Sequence, residues 1–418
     1  MAIVSGVFGY IVFIIVGLLC VSFSKRIMRS YVNITTMLCF PYLLICSFQI
    51  IIAAIYPKVV FPCIEYWSIL IFFFILTLVA ESVLSSFLGI KVDGRQIVSR
   101  YSYKWEKVFH IVIAFYLLYV IYDTYVQVRS VDITMLLQDE FEDEYGGSGG
   151  FYSRVFLMIC SAYYLGYVNK WYGYLFGLLC LIPSLVVNTK GVIFIPILSA
   201  FFIKTYLHEL SNTKQKIIVV GIIGIVIFFG SYMWQFYTWG ENPLENKDRW
   251  QEIFDKLVGY LISGVQEFNL NIVSPLDDVF KQSVNITITP FNNLLAKFGF
   301  GESISSINEI SRPIGLNTSV DSSPNVNSYI GTLYLFNGFG GACFLHLFWI
   351  SITVIIKKIA IQTNNPFIIT CYCLLLSGYA LGWFDFYFMQ TFWIYLIIFC
   401  FILYFCFNTK KKAIWNIA

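Results

Sequence analysis

The chain has 418 residues, of which 58% are hydrophobic and 12% are charged, and its mean hydropathy is +0.75. A soluble domain carries about 25% charged residues, so this composition excludes an ordinary soluble protein and predicts a polytopic membrane protein of the all-α class. The small net charge of +3 carries little information, and we expect no nucleic-acid partner.

Eleven cysteines are present, and most lie inside apolar runs, as Cys160, Cys180 and Cys371 do. We interpret them as small lipid-buried side chains rather than as a disulfide scaffold. No Cys/His cluster has metal-site spacing, and the sequence contains no Walker loop, Rossmann glycine pattern, HExxH or credible Ser/His/Asp set. We therefore expect no metal, no cofactor and no cytosolic nucleotide chemistry.

Eleven apolar runs are candidates for membrane-spanning helices, each of which needs about 20 residues. The first of these runs is interpreted as an uncleaved span rather than a signal peptide. The runs lie near Ile3–Phe23, Ile34–Ile55, Tyr66–Ile90, Val108–Val128, Phe151–Val168, Trp171–Val187, Gly191–Tyr206, Ile217–Trp234, Tyr329–Ile356, Pro366–Phe384 and Phe386–Phe407.

Basic residues follow the odd-numbered runs, which predicts that these runs end on the cytoplasmic side. Examples are Lys25 and Arg26 after the first run, Lys357 and Lys358 after the ninth, and Lys410 near the end of the chain. The N-terminus is therefore expected outside and the C-terminus inside.

A polar insert of about ninety residues interrupts the apolar pattern and divides the chain into three parts. Residues 1–234 hold spans one to eight, residues 235–327 form a large external loop, and residues 328–418 hold spans nine to eleven. Within the loop, Asp248–Leu270 has the apolar periodicity of an amphipathic helix and is expected to lie in the membrane interface. A weaker amphipathic piece covers Phe291–Phe298.

Two cations lie at the outer ends of predicted spans, where charge is costly and often functional. Arg154 either reaches along its helix to the interface or is a fixed cation facing an outer cavity. Lys190 lies in the tight turn Asn188–Gly191, where it is either an interfacial anchor or part of a site.

The insert and the last turn supply the other candidates. Arg249 and Arg312 are the only arginines of a net acidic insert, and Arg suits bidentate capture of phosphate or carboxylate. Each is alternatively a surface charge paired with a nearby carboxylate. Asp385 lies in the turn between the last two runs and is the carboxylate best placed to face the insert. Glu81, within the third run, is open to a structural or a functional role, and His346 is interpreted as packed core.

The segment Asn325–Ala342 has a polar entry followed by an aromatic stretch that ends in Asn-Gly-Phe-Gly-Gly. It resembles the span after the large periplasmic loop of bacterial oligosaccharide repeat-unit polymerases, the O-antigen polymerase (Wzy) family. The turn Asn188–Gly191 is similar to a short periplasmic turn of that family, which often carries Arg where this chain has Lys190. The resemblance covers the span plan and about a third of the residues.

The resemblance implies a metal-independent glycosyltransferase of the bacterial inner membrane, acting on its periplasmic face. Its substrates would be undecaprenyl-pyrophosphate-linked oligosaccharides, and its partners a chain-length regulator and a flippase of the same pathway. Arg154, Lys190, Arg249 and Arg312 would stabilise the leaving pyrophosphate. Glu241 or Asp385 would orient or deprotonate the acceptor hydroxyl. Two alternatives remain open: an O-antigen ligase, and a lipid-linked oligosaccharide flippase or transporter.

The predicted orientation is testable with reporter fusions. A reporter fused after Gly301 is expected to be exported, whereas one fused after Lys216 is expected to remain in the cytoplasm. The opposite pattern would place the candidate cations of the insert in the cytoplasm and would exclude the external site.

Overall fold

Helices dominate the structure. The computed structural model describes residues 2–90, 106–129, 150–168, 170–186, 190–207, 230, 233, 247–275, 287–303 and 327–407, of which 84% are helical and none is in a strand. The helices are α1 (Ala2–Met28), α2 (Ile34–Ile55), α3 (Ile64–Phe87), α4 (Glu106–Arg129), α5 (Gly150–Gly166), α6 (Trp171–Leu179), α7 (Ile182–Val186), α8 (Lys190–Tyr206), α9 (Lys247–Val273), α10 (Thr289–Lys297), α11 (Tyr329–Thr363), α12 (Pro366–Ala380), the 3₁₀ turn Tyr387–Met389 and α13 (Phe392–Phe407).

Five of the described helices are long and apolar enough to cross a membrane, namely α1, α2, α3, α4 and α11. Four shorter apolar segments accompany them: 171–184, 193–206, α12 and α13. These helices confirm the all-helical, multi-pass class predicted from the sequence. The predicted span Ile217–Trp234 lies almost wholly outside the described residues, and so do the loop ends that carry much of the orientation argument.

The chain divides into two compact units, and each is described by itself. The first unit comprises residues 1–95, 247–355 and 378–393, and the second comprises residues 96–246, 356–377 and 394–418. All eleven cysteines are free, and eight of them are buried, as expected of small hydrophobic side chains in such a bundle.

Glu81 in the first unit has a structural role. Its carboxylate accepts hydrogen bonds from the Ile34 and Thr35 backbone N–H groups, at 3.2 and 2.9 Å, and from the Thr35 hydroxyl at 2.8 Å. Asn33 caps the same end of α2 by accepting from the Thr36 N–H. The carboxylate of α3 therefore caps the start of α2, where negative charge is favoured.

The predicted ninth span is a helical hairpin rather than one continuous helix. Gly338 has φ of 63° and ψ of −179°, which interrupts α11 after residues 329–337. The Tyr329 hydroxyl lies 2.8 Å from Nδ1 of His346. In a straight helix these two residues would stand about 25 Å apart, at 1.5 Å per residue. The short helix 329–337 therefore folds back along the start of the long helix 339–363.

The short helix begins deep in the first unit. Its first backbone N–H groups have no carbonyl partner within the helix, and they are bonded to other protein groups there. The Tyr329 N–H donates to the Gly382 carbonyl at 2.6 Å, and the Ile330 N–H donates to the Tyr42 hydroxyl at 3.2 Å. Ser328 donates its N–H to the Gly264 carbonyl at 2.9 Å. Tyr42 lies in the middle third of α2, so this helix start is satisfied by protein groups at a depth where water is scarce.

The main helix of the insert is confirmed, but its packing differs from the prediction. All eight positions from 262 to 269 are buried, so this stretch of α9 is enclosed on every side. Gln266 accepts a hydrogen bond from Gln49 of α2 at 2.7 Å, and Asn269 donates to the Val60 carbonyl at 3.2 Å. Trp250 and Phe254, nearer the start of the helix, are 40% and 46% exposed. The stretch 262–269 is thus an integral part of the unit and not a layer over it.

The Tyr42 hydroxyl bonds to both Ile330 and Gly382, and these two hydrogen bonds, here called the Tyr42 clamp, are expected to contribute strongly to stability. Tyr42→Phe leaves the Ile330 N–H without its acceptor and removes one donor to the Gly382 carbonyl, at a cost of about 1–3 kcal/mol. The measurement is the midpoint of thermal unfolding in detergent, followed with a thiol-reactive dye that reports exposure of the buried cysteines. Tyr31→Phe, at a side chain 52% exposed, is the matched control and is expected to leave the midpoint unchanged. Equal midpoints for both variants would contradict the clamp.

Candidate functional site

The connection between α12 and α13 packs against the insert helix α9. A Cβ atom at Gly264 would overlap the carbonyl oxygens of Phe384 and Trp383, so only glycine permits this close backbone approach. On the other side, the Gly382 carbonyl accepts the Tyr42 hydroxyl at 2.9 Å as well as the Tyr329 N–H. These contacts fix the position of the residues that follow Gly382.

Asp385 is the carboxylate of this connection between α12 and α13. Its side chain is 5% exposed, and its Oδ1 has no hydrogen-bond partner among the described residues. The Phe386 backbone and the Gln390 side chain hydrogen-bond to the carboxyl group. The turn that carries Asp385 contacts α9 through the Trp383 and Phe384 carbonyls. That the Asp385 side chain itself faces the insert stays a prediction.

Burial raises the pKa of the Asp385 carboxyl from 3.8 to about 7, and the two hydrogen bonds offset only part of that effect. Tyr387, two residues later, is 6% exposed, and burial followed by the neighbouring Asp385 charge raises the pKa of its phenol. A carboxyl group whose pKa lies near neutral pH exchanges its proton easily there. Asp385 therefore has the chemistry of a general acid or base.

Aromatic residues directly precede Asp385 in the same turn. Tyr260 of α9 is stacked on Phe384, with ring centroids 5.9 Å apart and an interplanar angle of 21°. Trp383 lies against Phe384 with a centroid separation of 5.7 Å. Tyr260 also lies close enough to Tyr387 to interact with it electrostatically.

A second buried polar cluster in the same unit is structural. His346 is fully buried, with Nε2 2.8 Å from the Thr77 hydroxyl and Nδ1 2.8 Å from the Tyr329 hydroxyl. Thr77 donates its own proton to the Phe73 carbonyl, so its oxygen accepts from Nε2–H and Tyr329 donates to Nδ1. Both ring nitrogens are occupied, which agrees with the interpretation of His346 as packed core.

Arg154 and the start of α8 lie at one end of the second unit. Gly166, at the end of α5, contacts Ala200 and Ile203 near the end of α8, and the two helices pack along their length, so they run in the same direction. Arg154 precedes Gly166 by 12 residues and Lys190 precedes Ala200 by 10, which puts the two backbones at a similar level. Arg154 is buried and has an interaction partner. Its role as a fixed cation stays a prediction.

The other candidates are only partly placed. The backbone of Arg249 lies in the first turn of α9, and its side chain falls outside the described residues, as does that of Lys190. Glu241 and Arg312 lie outside the described residues altogether. The proposed roles of these four residues stay predictions.

The reversal at Gly338 was missed by sequence reasoning. The run Gly338, Gly340 and Gly341 within an apolar stretch was the available signal, since glycine is expected where the chain turns sharply.

The family comparison matches most of the chain. A family model described as "Family of unknown function (DUF6337)" matches residues 54–414. The chain belongs to the DUF6337 family. All six candidate residues fall within the DUF6337 match. No curated protein matches the chain, and no solved structure matches it.

The pKa of Asp385 predicts a pH-dependent stability. A carboxyl whose pKa is raised on folding contributes stability that is complete below 3.8 and is lost as the pH rises through about 7. Asp385→Asn stays neutral, so it is expected to match the parent near pH 3 and to exceed its stability by up to ~4 kcal/mol at pH 8.5. Thermal unfolding in detergent across this range measures the difference.

Glu302→Gln is the matched control, because Glu302 is an exposed carboxylate of the insert. It is expected to follow the parent at every pH. If Asp385→Asn also followed the parent throughout, the carboxyl would have an ordinary pKa and would not be a poised proton acceptor.

Proposed function

We propose that this protein polymerises lipid-linked oligosaccharide repeat units by glycosyl transfer at the external face of a bacterial inner membrane. The proposal combines the multi-pass helical architecture with the resemblance of the segment Asn325–Ala342 to the O-antigen polymerase family. The observation that carries it is the buried Asp385 carboxyl, with one oxygen lacking a described partner, at the contact between the insert helix and the last turn.

The reaction assigns a definite role to this carboxyl group. The acceptor is the non-reducing sugar of a repeat unit, and one of its hydroxyl oxygens attacks the anomeric carbon of the donor chain. The bond from that carbon to the undecaprenyl pyrophosphate oxygen breaks, and the pyrophosphate leaves with its bonding electrons. The acceptor hydroxyl proton passes to the Asp385 carboxylate. A base whose pKa is about 7 suits this transfer near neutral pH.

The developing negative charge on the leaving pyrophosphate needs cations. Arg154, Lys190, Arg249 and Arg312 are the proposed contributors, acting by electrostatic stabilisation of the transition state. Lys190 supplies a point charge where the resembling family more often has the bidentate Arg. Glu241 is the alternative carboxylate for orienting the acceptor.

A flippase for the same lipid-linked substrate is the second candidate. The hairpin at Gly338 favours it, because its short helix starts deep in the bundle, and discontinuous helices at such depth form the substrate sites of many transporters. An O-antigen ligase shares the span plan and is distinguished by phenotype.

The test is the surface polysaccharide of a host that lacks the gene, separated on a gel beside complemented strains. A polymerase predicts cores that carry a single repeat, with the ladder restored by the intact gene and by Glu302→Gln. Asp385→Asn, Arg249→Ala and Arg312→Ala are expected to leave the single repeat, with long chains reduced by about 100-fold or more for Asp385→Asn. Immunoblots of the membrane fraction verify that the variants accumulate equally.

The alternatives give different patterns on the same gel. Loss of even the single repeat would indicate a flippase or a ligase. An unchanged ladder in the deletion strain would exclude all three functions for this polysaccharide. A full ladder with Asp385→Asn would retain the polymerase and remove Asp385 from its chemistry.

A further inference from the structure

The aromatic residues beside Asp385 form a partly exposed face. Tyr260 is 40% exposed although Phe384 stacks against it, and Trp383 and Phe384 are both half-buried. The three rings come from two different elements, α9 and the turn after α12, and the close approach at Gly264 holds these elements together. The face is therefore a fixed surface and does not depend on a single side-chain rotamer.

Polar groups follow the aromatic residues in the same connection between α12 and α13. The Asp385 carboxyl is 5% exposed and its Oδ1 lacks a described partner, while Gln390 hydrogen-bonds to the same group. An apolar flat surface next to a carboxylate and an amide matches a sugar ring. The C–H face of the ring packs on the aromatic side chains, and its hydroxyls donate to the carboxylate and exchange hydrogen bonds with the amide.

The charge of Asp385 determines which part of a lipid-linked saccharide this face accepts. Two negative charges that lie close together repel each other, and the repulsion is stronger near a protein surface than in water because the effective dielectric constant is lower there. The pyrophosphate of the carrier is thus disfavoured next to the ionised carboxyl, whereas a neutral sugar hydroxyl is favoured.

We propose that Tyr260, Trp383 and Phe384 form a saccharide-binding subsite that holds the non-reducing end of the acceptor, with one of its hydroxyls against Asp385. This subsite rests on the proposed glycosyl transfer for its place in the reaction, but its affinity for a saccharide is a separate property. Tyr260 is then a specificity-determining residue, since its ring is the most exposed of the three described for this face and belongs to the insert.

The test is calorimetric titration of the purified full-length chain in lipid nanodiscs. The probe is the repeat-unit oligosaccharide of the host, released from its lipid carrier by mild acid, so that neither pyrophosphate nor lipid contributes to binding. The intact chain is expected to bind it, and Tyr260→Leu, which removes the aromatic ring, is expected to weaken binding by about 10-fold. Tyr260→Phe retains the ring and is expected to bind within about 3-fold of the intact chain.

Phe254→Leu is the matched control, because Phe254 is a 46% exposed aromatic residue on the same helix. It is expected to bind as the intact chain does. Absence of binding by the intact chain, or equal loss with Phe254→Leu and Tyr260→Leu, would overturn the subsite.

The two proposals fail separately in these measurements. Tyr260-dependent binding together with an unchanged polysaccharide ladder in the deletion strain would retain the saccharide subsite and exclude the polymerase function. A ladder that requires the gene but an intact chain that does not bind the released oligosaccharide would retain the polymerase and exclude the subsite.

Discussion

The structure of the first unit depends on how the backbone donors at the start of a buried helix are satisfied. The short helix 329–337 begins at Tyr329, far from water, where an unpaired N–H costs several kcal/mol. Its N–H groups bond to the Gly382 carbonyl and the Tyr42 hydroxyl, and the preceding Ser328 N–H bonds to the Gly264 carbonyl. One helix start thereby joins α2, α9, α11 and the turn after α12.

The candidate site follows from this junction. Gly382 is held from two sides, Gly264 admits the backbone of the same turn, and Asp385 in this turn is buried with little access to water. That burial is the main reason its pKa is raised to about 7. The same packing brings Tyr260 over Phe384, so the acid–base group and the aromatic face share one structural cause.

Much of the helical pattern was predictable, because a membrane allows few alternatives to an apolar helix. The bounds of α2 match the predicted run Ile34–Ile55, and the insert helix differs from its prediction by a few residues. The hairpin at Gly338 was not predictable from hydropathy, since both of its arms are apolar. The burial of Gln266 and Asn269 was equally hidden, because it depends on partners more than 200 residues away in the sequence. Asp385 was identified from its position, but its aromatic surroundings required the tertiary structure.

The most direct measurement of the central claim is the protonation state of Asp385 itself. Infrared difference spectra of the chain in lipid, with isotope-labelled aspartate, record the carbonyl stretch of each protonated carboxyl as the pH is varied. A buried Asp385 carboxyl is expected to give a protonated band that titrates near pH 7 and is missing from Asp385→Asn. If all aspartate bands that differ between the two proteins disappear by about pH 5, Asp385 is an ordinary ionised carboxylate, and the buried proton acceptor is contradicted.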